Sequence, residues 1–185
     1  MAENIFAIAG LGNPGNQYRK NRHNAGFLLL DYLESLWNAG NRTKKSGAEF
    51  VKITIPAGKT DVDLVLIRPQ KFMNLSGAPV CDLLKFFKIK TENLIVLHDE
   101  IELSFGDIRS KKGGGHKGHN GLRDIIGQCG SADFYRIRFG VGRPESGDVA
   151  SYVLSDFSEE EKNQLPDMFK KAENEIMHLL IKMNI

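Results

Sequence analysis

Short apolar runs alternate with stretches of helical spacing along the 185 residues, and this restricts the fold more than any other feature. Residues 4–9 read as a buried strand. EFVKITIP at 49–56 sets Phe50, Ile53 and Ile55 against polar neighbours, as a half-buried strand does. DLVLIRP and NLIVLHD are two further runs of strand length. Ala25, Leu29, Leu33 and Leu36 recur at helical spacing between the first two runs, as do Val80, Leu83, Leu84 and Phe87 within residues 76–88 between the last two. A basic strand at 107–110, a glycine loop, a helix over about 120–129 and the strand FYRIRFGVG follow. The chain closes on a helix that Ser158 and Glu161 open as a capping box, with Leu165, Phe169, Ala172, Ile176 and Leu180 on its apolar face. Strands alternating with helices predict an α/β fold: a single domain over residues 1–185, with a mixed twisted β-sheet flanked by α-helices.

A hydrophobic content of 41% and a charged content of 26% describe a globular chain and exclude a disordered one. No apolar run approaches the roughly 18 residues of a membrane span. Residues 1–10 lack the cationic start and cleavage site of a secretion signal. A cytoplasmic location with no membrane contact is therefore expected. Cys81 and Cys129 have neither C-x-x-C nor metal-ligand spacing and read as two reduced core thiols. The net charge is only +2, but RSKKGGGHKGHNGLR at 109–123 carries Arg109, Lys111, Lys112, Lys117 and Arg123 with no acid. Such a stretch is either a solvated loop or a surface for a phosphate backbone, and composition does not decide between them.

The turn after the first strand, Gly10-Leu11-Gly12-Asn13-Pro14-Gly15, has the G-x-G-x-x-G spelling of a dinucleotide site. That site needs a helix to begin at once and a carboxylate at the end of a second strand. Here helical spacing starts only at Ala25, and Glu34 lies inside that helix, so a dehydrogenase is the weaker reading. Asn13 is the loop's one hydrogen-bonding side chain. Other polar residues also gather at element ends: Asn74, His98-Asp99-Glu100, His23-Asn24 and His119-Asn120.

His116 and His119 with nearby acids offer metal ligands, but a pair in a glycine loop lacks the usual helical i, i+4 spacing, so no metal is expected. There is no G-x-S-x-G elbow for a nucleophilic serine, and Ser76 reads as a helix cap. Hydrolysis by water fits best: a histidine takes the proton, a carboxylate fixes its tautomer, and amides hold the carbonyl. Any single asparagine here could equally be a turn residue or a cap.

GLGNPG, HNAGF, RPQKFMNLSG, LHDE, GGGHKGHNGLRD and FYRIRFGVGRP, in this order over residues 10–144, resemble the bacterial-type peptidyl-tRNA hydrolase family. The resemblance implies a cytoplasmic, usually monomeric, cofactor-free α/β enzyme that frees tRNA from a stalled peptide. It implies His23 as the base that activates water, Asp99 as the acid that orients it, and Asn13 facing the substrate. Tyr18 would lie along the cleft, Asn74 would bind the peptide carbonyl side, and Met73 would line the pocket. Asn120 and His119 would gate the 3′ CCA end, and Lys111 with Arg138 would clamp the 5′-phosphate of the acceptor stem. Two positions depart from the family: Lys71 stands where a small hydroxyl residue is common, and Lys117 where glycine is. Some relatives of this kind bind RNA without hydrolysis, but the retained His23, Asp99 and Asn13 favour an enzyme.

Overall fold

The computed structural model describes residues 5–184. Seven strands form one mixed sheet in the order β2-β3-β4-β1-β5-β7-β6. They are β1 (Ile5–Gly10), β2 (Thr43–Lys45), β3 (Ala48–Ala57), β4 (Thr60–Pro69), β5 (Leu94–Glu100), β6 (Ile108–Lys112) and β7 (Tyr135–Gly140). The strand expected at 4–9 is β1, residue 4 lying outside the described residues. β4, β1, β5 and β7 run parallel, while β3 with β2 at one edge and β6 at the other are antiparallel. The helices are α1 (Ala25–Leu36), α2 (Gly77–Phe86), α3 (Asn120–Cys129), α4 (Val149–Val153) and α5 (Glu159–Met183).

Parallel strands covered on both faces must be apolar at consecutive positions, and β1 is buried at every one. Its pleat sends Phe6 and Ile8 towards Leu29, Leu33 and Ile176 of α1 and α5. Ala7 and Ala9 face Val80, Leu83 and Ile125 of α2 and α3. The α1 layer lies very close to β1: a β-carbon on Gly26 would sit 2.3 Å from the Leu97 carbonyl, and one on Gly10 would sit 2.6 Å from that of Gly26. These two glycines let the first turn of α1 rest on the ends of β1 and β5. The capping box at the start of α5 forms as expected, Ser158 Oγ accepting from Glu161 N and Glu161 Oε1 from Ser158 N.

Two expectations fail. Ser76 precedes α2 but does not cap it: its hydroxyl donates to the Met73 carbonyl (2.7 Å), and Asp124 of α3 accepts from the first amide of α2, Gly77 N (2.7 Å). Cys81 and Cys129 are not free thiols but form a disulfide joining α2 to α3. The two residues are far apart in the chain and meet only because these helices pack side by side. Among the described residues no helix is long and apolar enough to cross a membrane.

Candidate active site

β1 and β5 are hydrogen-bonded neighbours, with Gly10 opposite Leu97, so the loop after β1 and the end of β5 emerge together. Working groups of open α/β sheets collect at such strand ends. The loop after β1 carries Asn13, and β5 ends on His98, Asp99 and Glu100. The chain then makes single helical turns at Asn16–Tyr18 and Arg22–Asn24 before α1 begins, which places His23 over the end of β5. Its neighbour Arg22 is held by Glu161 (2.6 Å) and stacks on the Tyr152 ring.

Asp99 is 4% exposed and serves two histidines, one per oxygen. Oδ2 lies 2.8 Å from His23 Nδ1, and Oδ1 lies 2.8 Å from His119 Nε2. A carboxylate only accepts, so both ring nitrogens donate to it. Burial alone would raise the Asp99 carboxyl, but the charges and hydrogen bonds of His23 and His119 hold it far below the usual carboxylate range. Burial acts to lower His23, yet the Asp99 charge and hydrogen bond outweigh it and raise the imidazole above its ordinary value. His23 Nε2 is thereby left, among the described residues, as the free nitrogen of an oriented ring.

His119 is committed at both nitrogens. It is the N-cap of α3, where its Nδ1 accepts from the amides of Gly121 (3.2 Å) and Leu122 (3.3 Å). Its tautomer is therefore fixed with the proton on Nε2. This bears on metal binding, because His23, Asp99 and His119 bring three donor atoms within 4.8 Å of one another. A cation at His119 Nε2 would need that proton moved to Nδ1, against two amide donors, so the donor set fits a metal poorly. His116, the other half of the H-x-x-H pair, turns aside and accepts from Gly118 N. His98 donates from Nδ1 to the Asp99 carbonyl (2.8 Å), and burial together with His119 pushes it down to about 4.

Asn13 is fixed from two sides. Its Oδ1 accepts from Met73 N (2.7 Å), tying the loop to the turn Met73–Leu75. Its main-chain N–H and carbonyl are both taken by the Asn24 amide, at 2.8 and 2.9 Å. Asn13 Nδ2 is left without a protein acceptor among the described residues. Asn24 is the residue that sequence reasoning missed as a site member. Its position beside His23 is the only signal, and a helix-start asparagine normally reads as a side-chain cap, whereas Asn24 stands at the N-cap of α1 without a side-chain capping bond.

A cavity of about 500 Å³ opens beside Asp99, and His23, Lys111, His119, Asn120 and Arg138 also line it. Lys111 on β6 and Arg138 on β7 lie on adjacent antiparallel strands, Lys111 opposite Arg136 and Arg138 opposite Arg109. Arg138 Nε donates to Glu100 (2.9 Å), leaving Nη1 and Nη2 without a protein partner among the described residues. Tyr18, Met73 and Asn74 lie outside this cavity. Tyr18 meets the exposed Phe72 edge-on, Asn74 is exposed, and Met73 is 4% exposed within the core layer below α3.

A fixed imidazole beside a basic cavity, at the strand ends of an α/β sheet, has the make-up of a general-base hydrolase site. The particular family follows from comparison with known proteins. The chain belongs to the peptidyl-tRNA hydrolase family, which it matches over residues 7–184. It is 47% identical to the peptidyl-tRNA hydrolase of Geotalea daltonii over 88% of this chain and 83% of that one. With the enzyme of Neisseria meningitidis it shares 43% identity over 97% and 93% of the two chains. A crystal structure of peptidyl-tRNA hydrolase with N-propanol superposes with a TM-score of 0.86 at 36% identity, covering 98% of this chain and 90% of the other. That of Acinetobacter baumannii gives 0.84 at 36% identity, over 97% and 90%.

Proposed function

We propose that this chain hydrolyses the ester joining a peptidyl or N-blocked aminoacyl group to the 3′ ribose of tRNA, using water activated by His23 without a metal or other cofactor. The observation that carries this reading is the 2.8 Å contact between His23 Nδ1 and Asp99, which leaves Nε2 free to accept a proton. His23 Nε2 takes a proton as water attacks the ester carbonyl, and the imidazolium returns it to the leaving ribose 3′ oxygen. Asp99 keeps the ring oriented and stabilises its charged form. Asn13 Nδ2 and the Asn74 amide donate to the carbonyl oxygen as negative charge develops there. Tyr18 flanks the peptide side, and buried Met73 supports Asn13 from below.

Asn120 and His119 stand at the entrance for the 3′ CCA end, and the free nitrogens of Arg138 with Lys111 take the 5′-phosphate of the acceptor stem. The poor fit of His119 to a metal supports water activation by histidine alone. In this reading the protein is a cytoplasmic monomer and works as one domain built on a single sheet.

The test is incubation with an N-acetylated aminoacyl-tRNA and with its free-amine form. Release of the blocked amino acid alone is expected. Equal release from both, or from neither, would contradict the assignment.

A further inference from the structure

The tip of the glycine loop holds a lysine in a backbone conformation that suits glycine. Lys117 has φ 48° and Gly118 has φ 84°. His119 N–H donates to the His116 carbonyl (3.0 Å) and closes a four-residue turn around them. Two successive positive φ values mark a type I′ turn, whose first central position strains any residue with a β-carbon. The Lys117 side chain itself plays no part in holding the turn: it is exposed, and among the described residues its ammonium has no hydrogen-bonding or ionic partner. Strain that persists without an internal partner points to a use outside the fold.

The turn is also held firmly. Arg136, 3% exposed, donates Nη1 to the Gly115 carbonyl (2.6 Å) and Nη2 to that of Gly114. Gly118 N–H donates to His116 Nδ1 (2.9 Å), and Gly113 N–H to the Phe134 carbonyl (2.9 Å). Lys117 is thus fixed on the wall of the cavity that Asp99 and Asn120 line, together with the cations Lys111, Arg138 and Arg143.

We propose that Lys117 determines substrate affinity by contacting a phosphodiester of the single-stranded 3′ end of tRNA, separately from Lys111 and Arg138. The inference rests on the assigned activity, which brings the 3′ ribose to His23. Lys117 lies two residues from His119 and three from Asn120, so a phosphate close to the reacting ribose is the anion nearest to it.

The experiment compares wild type, Lys117→Gly and the double change Lys111→Ala, Arg138→Ala. Two substrates are used: an N-acetylated aminoacyl-tRNA, and the same acyl group on a short CCA oligonucleotide that lacks the stem and the 5′-phosphate. Lys117→Gly should raise KM roughly threefold to fivefold on both substrates, as loss of one exposed ionic contact does. It should also reduce the slope of log KM against log salt by about 0.7, the share of one single-strand phosphate. The melting temperature should stay equal or rise, because glycine relieves the turn. The double variant should raise KM on the full tRNA alone. Unchanged KM and salt slope in Lys117→Gly would overturn the inference, and an effect confined to full tRNA would overturn the 3′-strand assignment. Absence of wild-type turnover on the full tRNA would instead overturn the assigned activity, and this inference with it.

Discussion

Asp99 sets the state of His23 by acting against burial. The ring is mostly buried, which alone would lower its basicity, and the carboxylate 2.8 Å away reverses the sign. The base works only when unprotonated, so turnover should fall as pH drops through a value above the ordinary 6.5 of histidine. Asp99→Asn removes the charge and leaves burial, so the acid limb of kcat should move to lower pH. The plateau should also fall, by less than on loss of His23 itself, because the ring loses its orienting charge but keeps its place. A pH–rate profile of both proteins checks this, and an acid limb that stays put or moves up would remove Asp99 from the account. His23 and Asp99 could be read from the sequence because their motifs resemble a family. Asn24 could not, since its bonds to the Asn13 main chain exist only after the first loop folds back onto α1.

Among the elements, those with an apolar period were legible and those held by neighbours were not. β2 is three exposed residues that pair with β3, and α4 is a five-residue turn capped by Asp148, too short for a period to appear. The α2–α3 pair shows the same limit, because helical spacing gives each helix but not the side it turns to the other. Reading Cys81 and Cys129 as free thiols failed for that reason. The pairing sets the start of α3, at His119 and Asn120, near the turn Met73–Leu75 that precedes α2. The disulfide closes a sequence separation of 48 residues and should contribute about 3–4 kcal/mol by the loop-closure argument. Breaking it with a thiol reductant, or by Cys81→Ser with Cys129→Ser, should lower the melting temperature by roughly 6–16 °C for a chain of this size. Melting curves that coincide with and without the bond would show that α2–α3 packing needs no tether.

Across the whole molecule, one end of one sheet gathers the chemistry and the charge. β1 and β5 supply the amide loop and Asp99, and β6 and β7 supply the cations of the adjoining wall. A net charge of +2 hides this segregation, because Asp and Glu elsewhere balance the basic loop. We propose that this arrangement makes water a nucleophile through His23 alone. It is tested most directly by kcat and KM of wild type and His23→Ala on N-acetylated aminoacyl-tRNA, after both proteins have been dialysed against a strong chelator. The wild type should keep its activity through dialysis, and His23→Ala should lose on the order of 10²- to 10⁴-fold in kcat with KM nearly unchanged. Wild-type activity that returns only with added zinc, or a His23→Ala variant that loses through KM alone, would contradict it.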